Sequence, residues 1–169
     1  TTGTENSAVG RSSLLANTTG GKNVAFGSGA LAGNTTASNN TGLGWASLFT
    51  NTTGASNTAV GMSALLANTT ASNNTAVGYQ AGYSNTTGAN NVALGAFALD
   101  ANTTAGSNTA IGRSSLGTNT TGGNNVALGY QSLFFNTTAS NNTAVGHQSL
   151  YANTTGTQNV AVGGGALDA

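Results

Sequence analysis

The sequence contains no cysteine and no proline, and charged residues make up only 4% of its 169 positions. Without cysteine there is no disulfide framework and no thiolate metal site. An ordinary domain is roughly 25% charged; here three Lys and Arg balance three Asp and Glu. So few basic residues leave no electrostatic footprint for nucleic acid or for an anionic membrane surface. No apolar run approaches the ~20 residues of a membrane-inserted helix. Catalytic groups are equally scarce. The single histidine is His147, the acids are Glu5, Asp100 and Asp168, and the bases are Arg11, Lys22 and Arg113. They are scattered along the chain, and no base accompanies the many Ser and Thr hydroxyls, so an enzyme is not expected. No regular Asp of a calcium-binding roll and no Lys of a phosphate loop accompanies the glycines. No cofactor and no metal site is expected.

What the sequence has in abundance is Asn, Thr and Gly, set in one unbroken rhythm. A pentapeptide such as Asn23-Val24-Ala25-Phe26-Gly27 recurs with its glycine at Gly10, Gly27, Gly44, Gly61 and onward to Gly163, always 17 residues apart. The Asn that opens it is invariant: Asn6, Asn23, Asn40, Asn57, Asn74, Asn91 and so to Asn159. Leu14, Leu31, Leu48 and Leu65 begin a column broken only by Gly82. A second Asn closes each unit, at Asn17, Asn34, Asn51, Asn68, Asn85, Asn102, Asn119, Asn136 and Asn153. The chain therefore divides into ten units: 1–17, 18–34, 35–51, 52–68, 69–85, 86–102, 103–119, 120–136, 137–153 and 154–169. Fixed self-similarity at such a period marks a solenoid or an array.

Glycine in every unit, with β-branched residues and paired Asn, opposes helix. Thr75-Ala76-Val77 has strand character, with Thr75 and Val77 on one side and Ala76 on the other. Tyr79-Gln80-Ala81-Gly82-Tyr83 alternates in the same manner, and Asn-Thr-Thr-Gly is turn chemistry. We expect an all-β fold: a β-solenoid, or parallel β-roll, of ten coils, each with two short strands and two turns. At ~4.8 Å per coil the rod would be roughly 48 Å long. Identical side chains then stack as ladders, and the Asn columns can bond amide to amide. The core is expected to draw on Leu, the aliphatic residue of the pentapeptide and small neighbours.

So slim a core suggests lateral partners. Trp45 with Phe49, Tyr79 with Tyr83, Tyr130 with Phe134, and His147 with Tyr151 are each four residues apart and on a strand would share a face. They are candidates for an interchain surface or for stacking on a glycan. Asn-Thr-Thr is also a formal glycosylation sequon, which makes the nine closing Asn candidate glycosylation sites, although the turn and its ladder account for the same residues. Regular Thr ranks admit a third possibility, an ice-binding face.

The pentapeptides "NTAVG" and "NVALG", and the longer "NTAVGYQAGYSNTTG" at 74–88, resemble the head repeats of trimeric autotransporter adhesins and, closer in period, the repeat regions of bacterial and phage tail-fibre-like proteins. The resemblance implies a left-handed roll, three identical chains around one axis with small residues such as Ala76 or Ala81 nearest it, and a fibre on a cell surface or virion that bears on attachment. The expected partners are copies of the chain itself, as homotrimer or filament, and a cell-surface receptor or glycan. The chain is expected to be an excerpt of a longer fibre.

Overall fold

The structure, a computed structural model, describes residues 2–168. It contains ten three-residue strands: β1 (Ser7–Val9), β2 (Val24–Phe26), β3 (Thr41–Leu43), β4 (Thr58–Val60), β5 (Thr75–Val77), β6 (Val92–Leu94), β7 (Thr109–Ile111), β8 (Val126–Leu128), β9 (Thr143–Val145) and β10 (Val160–Val162). They form one sheet in chain order, each strand parallel to the next. Ser7 pairs with Val24, Thr75 with Val92 and Thr143 with Val160, so the 17-residue offset holds from the first pair to the last. The fold is a β-solenoid of about nine turns, with no helix among the described residues.

Each coil has one strand, not the expected two. The segment equivalent to 79–83 is a run of turns in which two residues per coil are left-handed: Gln80 has φ 53°, and Leu31, Leu48 and Leu65 have φ 50–51°. A left-handed residue breaks the two-sided alternation of an extended strand. Successive residues Ala30 and Leu31 both face inward and are fully buried. A left-handed Leu costs roughly 1–2 kcal/mol. Two gains offset it: burial of the side chain, worth about 1.5–3 kcal/mol, and a backbone bond to the following coil, Leu31 N donating to Ser47 O at 2.9 Å and Leu65 N to Ala81 O at 3.0 Å.

The interior also differs from expectation. In β2 and in β4 to β10 the central Ala points inward (Ala76 is 1% exposed), with Gly42 in its place in β3 and Ala8 of the terminal strand β1 exposed, and flanking residues such as Thr75 and Val77 point outward. The aliphatic residue of the pentapeptide is thus outside the core, which consists of the strand Ala, the Ala or Ser of the facing turn, and Leu. The coil is too thin for more. A Cβ added at Gly42, in the strand Ala position, would already lie 3.0 Å from Ser47 Oγ and 3.3 Å from Leu31 Cγ. Where Gly82 interrupts the Leu column, Leu65 of the preceding coil fills the space, its Cδ2 3.0 Å from where a Cβ would stand.

The Gly10, Gly27, Gly44 and Gly61 column is obligatory for two reasons. Its φ lies between 124° and 139°, where side chains are strained, and a Cβ on Gly27 would fall within 2.4 Å of the Gly44 carbonyl oxygen above it.

Two Asn columns close the coil at its corners. From Asn34 to Asn153, the closing Asn of each coil donates Nδ2 to Oδ1 of the preceding one, as in Asn68 to Asn51 at 2.8 Å and Asn85 to Asn68 at 3.0 Å. The same Nδ2 also caps its own turn, Asn68 donating to the Ala71 carbonyl at 3.0 Å. The Asn6 column works differently. Asn57 Oδ1 accepts the backbone N–H of Asn74 at 2.9 Å, and Asn57 Nδ2 donates to the Ala71 carbonyl at 2.8 Å. The first column bonds side chain to side chain; the second bonds side chain to backbone. Among the described residues no buried side-chain polar atom lacks a partner.

Replacing Asn68 by Ala removes the donor to Asn51 Oδ1 and one of two partners each from Asn85 Nδ2, which keeps Gly88 O, and from the Ala71 carbonyl, which keeps Asn57 Nδ2. At about 1–3 kcal/mol per orphaned buried group, partly shared with other partners, urea unfolding should show a loss of at least about 2 kcal/mol. Asn68→Asp puts a carboxylate in the same buried place, so its deficit should exceed that of Asn68→Ala at pH 7 and shrink toward pH 4.

Candidate interaction surface

With Ala turned inward, each strand presents its two flanking residues to solvent. One of the resulting columns is Val9, Phe26, Leu43, Val60, Val77, Leu94, Ile111, Leu128, Val145 and Val162, without a polar member. The other holds Ser7 and then only Thr or Val, with Thr at Thr41, Thr58, Thr75, Thr109 and Thr143. Phe26 is 54% exposed, and Val24, Leu43, Val77, Val126 and Leu128 are also exposed. No charged residue occurs in either column. The outer face of β1–β10 is therefore an apolar ridge running the length of the rod, with a repeat of ~4.8 Å.

Beside this ridge, the facing turns carry the aromatic residues. Trp45, Phe49, Tyr79 and Tyr130 are exposed, as is His147; Tyr83, Phe134 and Tyr151 are half-buried. Because the segment is not a strand, the pairs four residues apart are mostly not the ones that meet. The rings stack along the rod instead. Tyr130 lies over His147 at 5.4 Å with planes 19° apart, and Phe134 over Tyr151 at 5.7 Å and 13°. Phe135 stands edge-on to both Phe134 and Tyr151, at 4.9 and 5.0 Å. Phe97 stands edge-on to Tyr79 at 5.1 Å. The guanidinium of Arg113 sits 5.8 Å above the Tyr130 ring. Trp45 and Phe49 alone act as the sequence pairing supposed, lining one cleft with Arg11. Phe97 and Phe135 were not singled out from sequence, and Arg11 and Arg113 were named there only as scattered basic residues. Arg113, Tyr130 and His147 share a column at 17-residue spacing, which was the signal available.

The nine closing Asn are poor glycan acceptors in the folded chain. Asn34, Asn51, Asn68, Asn102, Asn119 and Asn136 are fully buried, Asn17 and Asn85 nearly so, and Asn153 is half-buried. Their amide nitrogens are spent on the ladder. In the folded chain attachment at these positions would need the amide that holds two coils together. Ala76 and Ala81, expected nearest a threefold axis, are buried within the single chain.

The Thr ranks also separate. From Thr18 to Thr120 the first Thr of each pair donates its hydroxyl to the Thr carbonyl of the next coil, as Thr35 to Thr52 and Thr52 to Thr69, both at 3.0 Å. From Thr35 to Thr137 this first rank is half-buried, and the second rank, Thr36, Thr53, Thr70 and their equivalents, is exposed.

Among the described residues, no group of three or more His, Cys, Asp or Glu could hold a metal ion, and no helix is long and apolar enough to cross a membrane. Comparison of the chain with protein-family models, curated proteins and solved structures returns no match.

Asp100, on the turn side, has a perturbed protonation equilibrium. It lies half-buried between the coils of Tyr83 and Gly117. Loss of hydration pushes its carboxyl above the usual value of 3.8, against hydrogen bonds from its own backbone N–H and that of Ala101. The folded chain thus holds this proton more tightly than the unfolded one. The stabilisation from the protonated carboxyl is complete below pH 3.8 and is lost as pH rises through the higher folded-state value. Asp100→Asn should remove that segment of the melting-temperature profile between acidic and neutral pH, and should melt above the parent at pH 7.

Proposed function

We propose that the chain is the shaft or head of an extracellular or virion fibre, which associates with copies of itself through the outer face of β1–β10 and supports attachment to a surface. One observation carries this reading: an apolar column without a polar interruption lies outside the core on all ten strands. Isolated exposed apolar residues are ordinary, but a contiguous patch of this length marks an interaction site. Its occupant must present apolar groups at the same ~4.8 Å repeat over many strands. Another rod of the same sequence meets that requirement without adjustment, since each coil then faces a copy of itself. The resemblance of the pentapeptides to adhesin heads and tail-fibre repeats supports three chains, a left-handed roll and a location outside the cell or on a virion. An ice-binding face has weaker support, because one of its two Thr ranks is committed to the backbone.

The test is solution mass. Multi-angle light scattering should give a multiple of 16.3 kDa, threefold for a trimer. Val77→Asp with Leu128→Asp places two charges on the ridge without touching the interior, and should return the chain to 16.3 kDa with its circular dichroism unchanged. A parent chain that scatters as a monomer at every concentration overturns the proposal.

A further inference from the structure

The turn face contains one open cleft with mixed chemistry. It lies between the first and third coils, because the second coil is small there: Arg11 and Trp45 occupy one column, and between them stands Ser28. Gly29, the neighbour of Ser28, is buried beneath the ring of Phe49, whose Cδ2 lies 3.1 Å from where a Cβ would be. The cleft has a volume of about 180 Å³ and is lined by Arg11, Ser12, Ser28, Gly29, Trp45 and Phe49. Drug-sized pockets are roughly 300–1,000 Å³, so this one has room for a single ring.

The chain contains its own comparison. Four coils further on, the same column reads Tyr79, Ala96, Arg113, again an aromatic and a guanidinium on either side of a small residue. There the residue equivalent to Gly29 is Phe97, whose ring stands edge-on to Tyr79 at 5.1 Å. Phe97 has φ 58° and Gly29 φ 73°, so the backbone is left-handed at both places. The two places therefore differ in side chains on the same backbone: Gly29 with Phe49 at coil two, Phe97 with Gly117 four coils on.

We propose that this cleft binds a carboxylate-bearing pyranose, an acidic sugar unit of a surface glycan. The indole of Trp45 (56% exposed) and the ring of Phe49 offer an apolar floor for the C–H face of a sugar ring. Ser12 and Ser28 line the sides with hydroxyls that can donate and accept. The guanidinium of Arg11 at the far wall is matched to a carboxylate, which it can hold with two parallel bonds. A neutral sugar leaves that fork unused, and a flat aromatic acid leaves the hydroxyls unused. This site does not depend on self-association, and solution mass measured on the same sample separates the two proposals.

Trp45 is the sole tryptophan, so its fluorescence reports on this cleft alone. The full chain is titrated with methyl glucuronide, methyl glucoside and benzoate. Methyl glucuronide should produce a saturable change with a Kd of about 1–10 mM, as suits so small a ligand in an open site. Methyl glucoside and benzoate should each bind at least roughly tenfold more weakly. Arg11→Ala should remove the preference for the acid. The double variant Gly29→Phe, Phe49→Gly copies the arrangement already present at Phe97 and Gly117, keeps the coil foldable and should abolish the response. No saturable change with methyl glucuronide overturns the proposal. So does equal binding of methyl glucoside or benzoate, or an undiminished response in the double variant.

Discussion

The structure depends on one constraint: nearly every coil-forming group finds its partner in the coil before or after it. The Asn of the turn bonds the same Asn one coil away, as Asn102 to Asn85 at 2.8 Å. The left-handed Leu bonds forward to the turn above, and the strand residues bond in parallel on both sides. A single 17-residue unit has few internal bonds and only an Ala–Leu interior, so it cannot be stable alone. Stacking supplies the rest, which is the quasi-one-dimensional arrangement of repeat proteins. Low charge is compatible with this arrangement, because like charges set about 4.8 Å apart along a column would repel.

Much of this was legible in the residues. The unbroken period, the invariant Asn and Gly and the strand character of Thr75-Ala76-Val77 lead to a parallel stack, and the register found has the same 17-residue offset. Two things were not legible. Periodicity of two says that Val77 and Thr75 share a side, not which side is inside. The answer came from volume, since only Ala fits between the strand and the facing turn. Nor does sequence reveal that Leu65 and Gln80 adopt positive φ. Leu is a residue that seldom does so, and the alternation of Tyr79–Tyr83 imitates a strand. The same error carried over to the aromatic pairs: rings assigned to one coil stack between coils, as Tyr130 does on His147.

The interior and the surface follow from that division. Because the core takes only Ala, Ser, Leu and Asn, larger apolar residues are left outside, and the chain places them in columns rather than scattering them. The turn side is the variable one. There a coil can exchange Ser28 for Trp45 or Arg113 for Tyr130 without altering a single inter-coil backbone bond, so chemistry can differ from coil to coil on a constant frame.

The Asn17 ladder has one more consequence. Its amides, from Asn17 to Asn153, all point the same way: each nitrogen toward the lower-numbered coil, each oxygen toward the higher. Aligned dipoles of this kind add and polarise one another. A molecule of zero formal charge thereby acquires an electrical head and tail, a vector along its long axis that would distinguish parallel from antiparallel neighbours.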